Sequence, residues 1–453
     1  MQFDSGVQCR FLLSMKGGSG EIQENMFIGV KDGMIAEVSP YEPGQMKVCH
    51  RWIDASDKIV MPGLINAHTH LAMSLFRGYE DDLPFHEWLF KRIFPVEAKF
   101  VDDHFVQTGV ELSALECIRF GTTCVNDSYF FPKTIAEVLD RAGLRGFVTQ
   151  PFIDFVLADE KHLGEQAIPS RESRFKEFFA LYQNHPRIYP TLGPHAPYTS
   201  SDDLLRLVKR LSDEYDIPVH IHVSETAGEV KNSLEQYGKT PAKRLYDLGL
   251  LGPKLFAAHC VHLTDEEVEL FKETGSTIIY NPDSNLKLGS GIAPIVKYRR
   301  AGLKVALGTD GAASNNDLSM FGAMDIGTKA QKVSNSDNMA MVALDALNLA
   351  TLEGAKALGL DHLIGSLEVG KRADLICLRT DLPHVKPLYS ILSQLVYAYQ
   401  GMEVDTVMCD GKVLLDQGKF TTLNEKEIFH KADLIQSKLK MQLHEFSQAG
   451  TSS

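Results

Sequence analysis

Four polar marks, each closing an apolar strand-like run, carry most of the chemistry this chain can do: His68-Thr69-His70, His222, His259 and Asp310. The runs before them are Val60-Met61-Pro62-Gly63-Leu64-Ile65-Asn66-Ala67, Pro218-Val219-His220-Ile221, Leu255-Phe256-Ala257-Ala258 and Val305-Ala306-Leu307-Gly308-Thr309. Residues two apart on a strand share a side, so His68 and His70 project together, and His220 faces inward with His222. A lone His-x-His is weak evidence, and each of the other residues has an ordinary reading as a core histidine or a turn aspartate. Their joint placement at the ends of a first, fifth, sixth and eighth strand is not ordinary. Imidazoles and a carboxylate at the C-terminal ends of parallel barrel strands are what a metal at the barrel mouth requires. His68, His70, His222 and Asp310 are therefore the expected ligands of one divalent ion, Zn²⁺ or Fe²⁺ by donor type. A second metal would need a bridging anion such as a modified lysine after the fourth strand, where Pro190-Thr191-Leu192-Gly193-Pro194-His195 holds none. A divalent ion lowers the pKa of bound water, and the proton traffic falls to three neighbours. Glu225, just past His222, is placed to donate a proton, His259 to polarise or deprotonate the water, and Asp310 to accept its proton. His220 lies deeper and reads as core or as support behind the ligands.

These residues need a scaffold, and the middle of the chain supplies its pattern. Strand candidates at 60–67, 122–126, 145–152, 188–194, 218–223, 255–260, 277–281 and 304–310 alternate with helical stretches such as 202–215 and 265–274, capped by Ser201 and Thr264. Eight alternations over about 300 residues match a (β/α)₈ TIM barrel at 61–367. A doubly wound open sheet is the competing architecture, but no Gly-rich phosphate turn supports it. At the ends, Lys31-Asp32-Gly33 and Asp410-Gly411 each sit between short apolar runs, a hairpin signal that appears twice. Segments 1–60 and 368–423 are thus expected to build one small β-sandwich domain from both chain ends. Over 424–453, Asn424 and Glu427 form a capping box, Ile428, Ala432, Ile435, Leu439, Leu443 and Phe446 form a helical stripe, and residues from Gln448 onward form a frayed tail.

Composition narrows the class. A chain of 453 residues, 44% hydrophobic, can bury a large barrel and a second unit. A formal net charge of -13 excludes nucleic acid as the natural partner and leaves a small molecule. The start has no basic region followed by an apolar core, and no run approaches the roughly 18 apolar residues of a membrane span. Seven scattered cysteines without a Cys-x-x-Cys pair read as reduced thiols, so a cytoplasmic protein with no membrane association is expected. Cys260, adjacent to His259, is expected to pack outward because neighbouring strand residues face opposite ways. A symmetric homo-oligomer, dimer or tetramer, is the default for a soluble enzyme.

Pro62-Gly63-Leu64-Ile65-Asn66-Ala67-His68-Thr69-His70 resembles the opening signature of the amidohydrolase superfamily. His222-Val223-Ser224-Glu225-Thr226, Gly193-Pro194-His195-Ala196-Pro197-Tyr198-Thr199 and Asn281-Pro282-Asp283-Ser284-Asn285-Leu286-Lys287-Leu288 resemble the branch that deaminates 5′-methylthioadenosine and S-adenosylhomocysteine. Gly308-Thr309-Asp310-Gly311-Ala312-Ala313-Ser314-Asn315-Asn316 and Gly365-Ser366-Leu367-Glu368-Val369-Gly370-Lys371-Arg372-Ala373-Asp374 fit the same picture, which spans about residues 26–418. The resemblance implies zinc on His68, His70, His222 and Asp310, with Glu225, His259 and Asp310 moving protons at the substrate. It also implies that Glu97 bonds the ribose hydroxyls and that His195 contacts the nucleoside, while Trp88 is placed to cover the purine. An arginine for an amino-acid tail maps to Arg171 or Arg174 without a choice between them. The implied reaction is hydrolytic deamination at C6 of an adenosine-type nucleoside, giving the inosine derivative and ammonia. Deamination of another azaheterocycle (guanine, a pterin) or dechlorination of a triazine on the same scaffold is the rival reading. A catalytically silent scaffold is the rival of another class, although such a chain is expected to have lost ligands. The thiolate design of other zinc deaminases, His-x-Glu with Pro-Cys-x-x-Cys, does not occur.

Overall fold

Eight parallel strands follow one another in chain order around the middle of the molecule. After four strands at the N-terminal end, β1 (Phe3–Leu13), β2 (Ile22–Lys31), β3 (Met34–Pro40) and β4 (Cys49–Pro62), come β5 (Leu64–Thr69), β6 (Thr122–Asp127), β7 (Arg145–Phe152), β8 (Ile188–Pro194), β9 (Val219–Val223), β10 (Leu255–His259), β11 (Thr277–Tyr280) and β12 (Lys304–Leu307). The structure, a computed structural model, describes residues 2–155, 160–161 and 169–450. The sheet runs β12 to β5 without reordering, and β12 returns to β5 through a polar seam. Asn66 Nδ2 donates to Thr309 Oγ1 (2.7 Å), Thr309 N–H donates to Asn66 Oδ1 (3.1 Å), and Asp310 N–H donates to the His68 carbonyl (3.0 Å). A closed ring of successive parallel strands is the (β/α)₈ barrel expected from the pattern and excludes the open sheet.

The second sheet joins both chain ends. Its order is β16 (Lys419–Phe420), β15 (Lys412–Asp416), β14 (Val404–Cys409), β13 (Leu375–Leu378), β4, β1, β2, β3. Strand β4 is the splice, parallel to β1 on one side and antiparallel to β13 on the other. The sheet folds over one core in which Val7, Ile28 and Ile35 meet Leu375, Met408 and Val413. Both expected hairpins form with left-handed pairs, Asp32–Gly33 (φ 53° and 75°) and Asp410–Gly411 (φ 53° and 76°).

Two sequence readings are corrected. The run 60–67 is not one strand: Val60–Pro62 ends β4 in the second sheet, and the barrel strand starts at Leu64. Gly63 makes the transfer, because a Cβ there would lie 2.2 Å from Thr123 Oγ1. Cys260 is fully buried in the main core and does not line the cleft. The C-terminal helix Glu425–Gly450 runs through the start of the expected tail, and residues 451–453 lie outside the described residues. Asn424 Oδ1 caps that helix from Glu427 N–H (3.4 Å), while Ile428, Ile435 and Leu439 bury its inner face. No described helix is long and apolar enough to cross a membrane.

Arg145, the first residue of β7, ties barrel to second sheet. Its guanidinium is fully buried and donates to both oxygens of Asp374 (3.3 Å each) and to the Pro186 carbonyl (3.1 Å). Removing one partner of a buried pair leaves the other charge desolvated, which costs about 3–5 kcal/mol. Arg145→Met is therefore expected to destabilise the protein by about that much, measured as a lower denaturant midpoint, with Arg145→Met/Asp374→Leu recovering most of the loss.

Candidate metal and catalytic site

The mouth of the barrel is where the strand ends converge. His68 and His70 close β5, His222 lies in β9, and Asp310 follows β12. His68 Nε2 and His70 Nε2 lie 3.4 and 3.3 Å from Asp310 Oδ1, and His70 Nε2 lies 3.2 Å from His222 Nε2. Two nitrogen or oxygen ligands about 2.0–2.1 Å from one tetrahedral ion sit about 3.4 Å apart, so these separations suit a shared cation. The Nε2 atoms of His68 and His259 are buried without a hydrogen-bond partner in the structure, a cost that a cation or a polar ligand would relieve. Behind the ring, His70 Nδ1 donates to the Ser128 carbonyl (2.5 Å) and His222 Nδ1 to the His195 carbonyl (2.6 Å). A carbonyl can only accept, so each bond places the ring proton on Nδ1 and turns the Nε2 lone pair inward. The residues present thus fit a single divalent ion.

Asp310 is aimed by its surroundings. Its φ is +66°, a left-handed conformation that aspartate tolerates better than most residues. Ser284 and Ser314 hydroxyls donate to Oδ2 (2.6 and 3.0 Å), while Gly311 N–H donates to Oδ1 (2.7 Å). Burial opposes its charge, but His68, His70 and His259 hold it well below the usual carboxylate range. His259 is buried, and burial pushes its pKa down to about 3, so the ring is neutral. Asn285 Nδ2 donates to His259 Nδ1 (2.8 Å), which leaves the proton on Nε2. That Nε2 faces Glu225 Oε2 (3.8 Å) and Asp310 Oδ2 (4.0 Å). In this tautomer His259 is a donor to the site, which fits polarising an oxygen rather than taking its proton.

Glu225 sits in a turn pinned from behind. Ser224 has φ +49°, and the Glu229 carboxylate accepts the backbone N–H groups of Ser224 (3.0 Å) and Glu225 (2.7 Å). Burial raises the Glu225 pKa well above the ordinary value, and the charges of Asp310 and Glu229 raise it further, which favours the protonated form.

One cleft joins this cluster to the expected substrate residues, since Glu97, Trp88, His195, His222, Glu225, His259 and Asp310 all line it. Glu97 on helix Phe94–Phe100 is 5% exposed and accepts from the Tyr129 hydroxyl (2.6 Å). Trp88 lies nine positions earlier, which on an unbroken α-helix at 3.6 residues per turn is about 180° away. The intervening segment Trp88–Ile93 is a π-helical turn, whose extra residue per turn brings both side chains to the cleft. Neither Arg171 nor Arg174 reaches the described lining. Arg171 is fully buried, donating to Glu160 (2.6 and 2.7 Å) and the Phe155 carbonyl (2.7 Å), and Arg174 also donates to Glu160 (2.7 Å). Among the described residues, Lys161 is a cation that lines the cleft.

Sequence reading missed Glu229, Tyr129, Ser284 and Ser314. Only Glu229 had a signal, in Thr226-x-x-Glu229 as a helix-start pattern; Tyr129 and Ser284 act on residues distant in the chain, and Ser314, in the same loop as Asp310, sits in no pattern that marks it.

Comparisons with known proteins agree with this geometry. A family model described as the amidohydrolase family matches residues 59–414. A 5-methylthioadenosine/S-adenosylhomocysteine deaminase of Caldanaerobacter subterraneus subsp. tengcongensis is 42% identical over 84% of this chain and 87% of its own. A 5′-deoxyadenosine deaminase of Methanothermobacter thermautotrophicus is 42% identical over 90% and 94%. Among solved structures, an adenosine deaminase from Xanthomonas campestris with bound zinc superposes with a TM-score of 0.93 at 37% identity, covering 97% of this chain and 99% of that one.

The Glu97 carboxyl yields a pH prediction. Burial pushes its pKa up to about 7, with the Tyr129 hydrogen bond opposing. A folded value above the unfolded one means that the native state holds the proton more tightly. The stabilisation is complete below the unfolded carboxyl value of about 4.3 and is lost as pH rises through about 7. Glu97→Gln, which keeps an acceptor for Tyr129, should match the parent near about pH 4 and exceed it by about 2–4 kcal/mol near about pH 8. Thermal unfolding at the two pH values measures this, and an equal difference at both would refute it.

Proposed function

Because the chain belongs to the amidohydrolase family, we propose that it is a metal-dependent aminohydrolase removing the 6-amino group of an adenosine-type nucleoside. The substrates in this reading are 5′-methylthioadenosine, S-adenosylhomocysteine, 5′-deoxyadenosine or adenosine, and the products are the inosine derivative and ammonia. The observation that carries it is a single cleft holding Glu225, its pKa raised by burial, beside the imidazole–aspartate cluster, and a buried carboxylate, Glu97, able to accept from two vicinal hydroxyls. A free base has no such diol, which favours a nucleoside over guanine or a pterin.

His68, His70, His222 and Asp310 would hold the ion, zinc in this reading, with Fe²⁺ sharing the same donor preferences. When bound, such an ion supplies Lewis acidity and lowers the pKa of a bound water. The chain's own groups do the rest. Glu225 gives its proton to the purine ring nitrogen next to C6. Asp310, ionised and oriented by two serine hydroxyls, takes a proton from water as the oxygen adds to C6. His259 presents Nε2–H to that oxygen, stabilising charge as it develops. The 6-amino group then leaves as ammonia with the proton taken up by Asp310, and the C6 hydroxyl loses its proton to Glu225 as the carbonyl forms, which restores both carboxyl groups. Glu97 fixes the ribose, and Trp88 and His195 flank the nucleoside, so the reacting carbon is held in register.

In the same reading the enzyme works in the cytoplasm, where its seven free thiols stay reduced, and assembles as a homo-oligomer, dimer or tetramer. Incubation with 5′-methylthioadenosine, S-adenosylhomocysteine, 5′-deoxyadenosine and adenosine should release ammonia with the adenine-to-hypoxanthine absorbance change; guanine or chlorotriazine turnover alone would overturn the assignment. Glu225→Gln should retain its metal and lose kcat by about two to four orders of magnitude. Glu97→Ala should raise KM for nucleosides far more than it lowers kcat, and an unchanged KM would remove the ribose role.

A further inference from the structure

His70 and His222 rest their Nδ1 atoms on carbonyl oxygens, at 2.5 and 2.6 Å, and a carbonyl admits only one tautomer. His68 does not. Its Nδ1 lies 2.8 Å from another imidazole, His220 Nε2, with ring centroids 4.8 Å apart and planes at 85°. The edge-on crossing brings two in-plane nitrogens together, so one must donate and the other accept. If His220 donated, His68 would carry its own proton on Nε2, facing Asp310 Oδ1 at 3.4 Å, and would have no lone pair there for a cation. If His68 donates, its Nε2 lone pair is free and the His220 proton sits on Nδ1.

His220 is 2% exposed, and its Nδ1 has no hydrogen-bond partner in the structure. A side chain kept only for volume would not retain a buried unpaired polar atom, because an apolar residue of that size avoids the cost. Its address explains its presence. His220 precedes His222 by two on β9, so the alternation that turns His222 to the mouth turns His220 to the same side one layer deeper, against His68. Strand β9 thus contributes one side chain to the ion and another to the back of a ligand from β5.

We propose that His220 is a positioning residue for the metal centre. It accepts the Nδ1 proton of His68, fixes that ring's tautomer and tilt, and so sets the affinity of the site for a divalent cation without touching it. This rests on the reading of His68 as a ligand given above. Partners behind metal-bound histidines typically change affinity by about 10–100-fold when removed.

The test compares His220→Gln, whose amide oxygen can accept in place of Nε2, with His220→Leu, which fills space and cannot. Zinc affinity is measured by competition with a chelating indicator, and the metal-stripped proteins are followed by thermal unfolding. The expected result is a Kd for the Gln variant within about threefold of wild type, and a Kd for Leu weaker by about 10–100-fold. The stripped Leu variant should unfold at about the same temperature as stripped wild type, since it exchanges the unpaired His220 Nδ1 for an unpaired His68 Nδ1. Equal Kd for wild type and Leu overturns the positioning role. Equal weakening in both variants with a lower unfolding temperature in each reduces His220 to packing and also overturns it. Wild-type protein that takes up no divalent ion overturns the ligand reading itself, and this inference with it.

Discussion

Everything at the barrel mouth depends on one electrostatic constraint: three imidazole nitrogens and a carboxylate oxygen form a buried chain of close neighbours, His222 to His70 at 3.2 Å, His70 to Asp310 at 3.3 Å and Asp310 to His68 at 3.4 Å. Lone pairs so close, away from water, repel unless something positive lies among them. The chain accepts that arrangement because each group is anchored from outside the cluster. Carbonyls of Ser128 and His195 hold two rings, and Ser284, Ser314 and Gly311 hold the aspartate. The anchors of the two rings and Ser284 come from other segments than the groups they hold, while Gly311 and Ser314 hold Asp310 from within its own loop.

The barrel carries local strain to achieve this. Ser224, His259, Cys260 and Asp310 all adopt left-handed backbone at the ends of β9, β10 and β12, a conformation that disfavours side chains other than asparagine and aspartate. The turn re-aims the side chain just where strand geometry would send it along the wall. Compensation is visible nearby. Glu229 takes the two N–H groups of the Ser224–Glu225 turn, and the Tyr298 hydroxyl donates to the Cys260 carbonyl (2.7 Å). At the far end of the barrel, Arg145 and Asp374 lock the second sheet against β7, and the Asn66–Thr309 seam holds the first strand against the last.

The same burial that dries the cluster divides the acids of the cleft. Asp310, facing three imidazoles, stays ionised, whereas Glu225, buried, facing Asp310 and backed by Glu229, is pushed toward its protonated form. Two carboxyl groups in one cleft are thus driven toward opposite protonation states by their surroundings, the arrangement acid–base chemistry needs near neutral pH.

The sequence by itself determined the eight strand positions, the two hairpins and the histidines and aspartate that end strands, because period-two alternation and apolar runs are local properties that each segment expresses alone. It also marked Glu225 and His259 by adjacency to those ends. What it could not determine were relations across the fold. The run 60–67 reads as one strand, and only the approach of Thr123 to Gly63 shows that it changes sheets. Trp88 and Glu97 share the cleft only through the π-helical turn between them, and Arg171 is turned away by Glu160. Hydrogen bonds from Tyr129 to Glu97, from Ser284 to Asp310 and from His68 to His220 join residues far apart in number, and their direction is fixed by tertiary packing, which no local periodicity encodes.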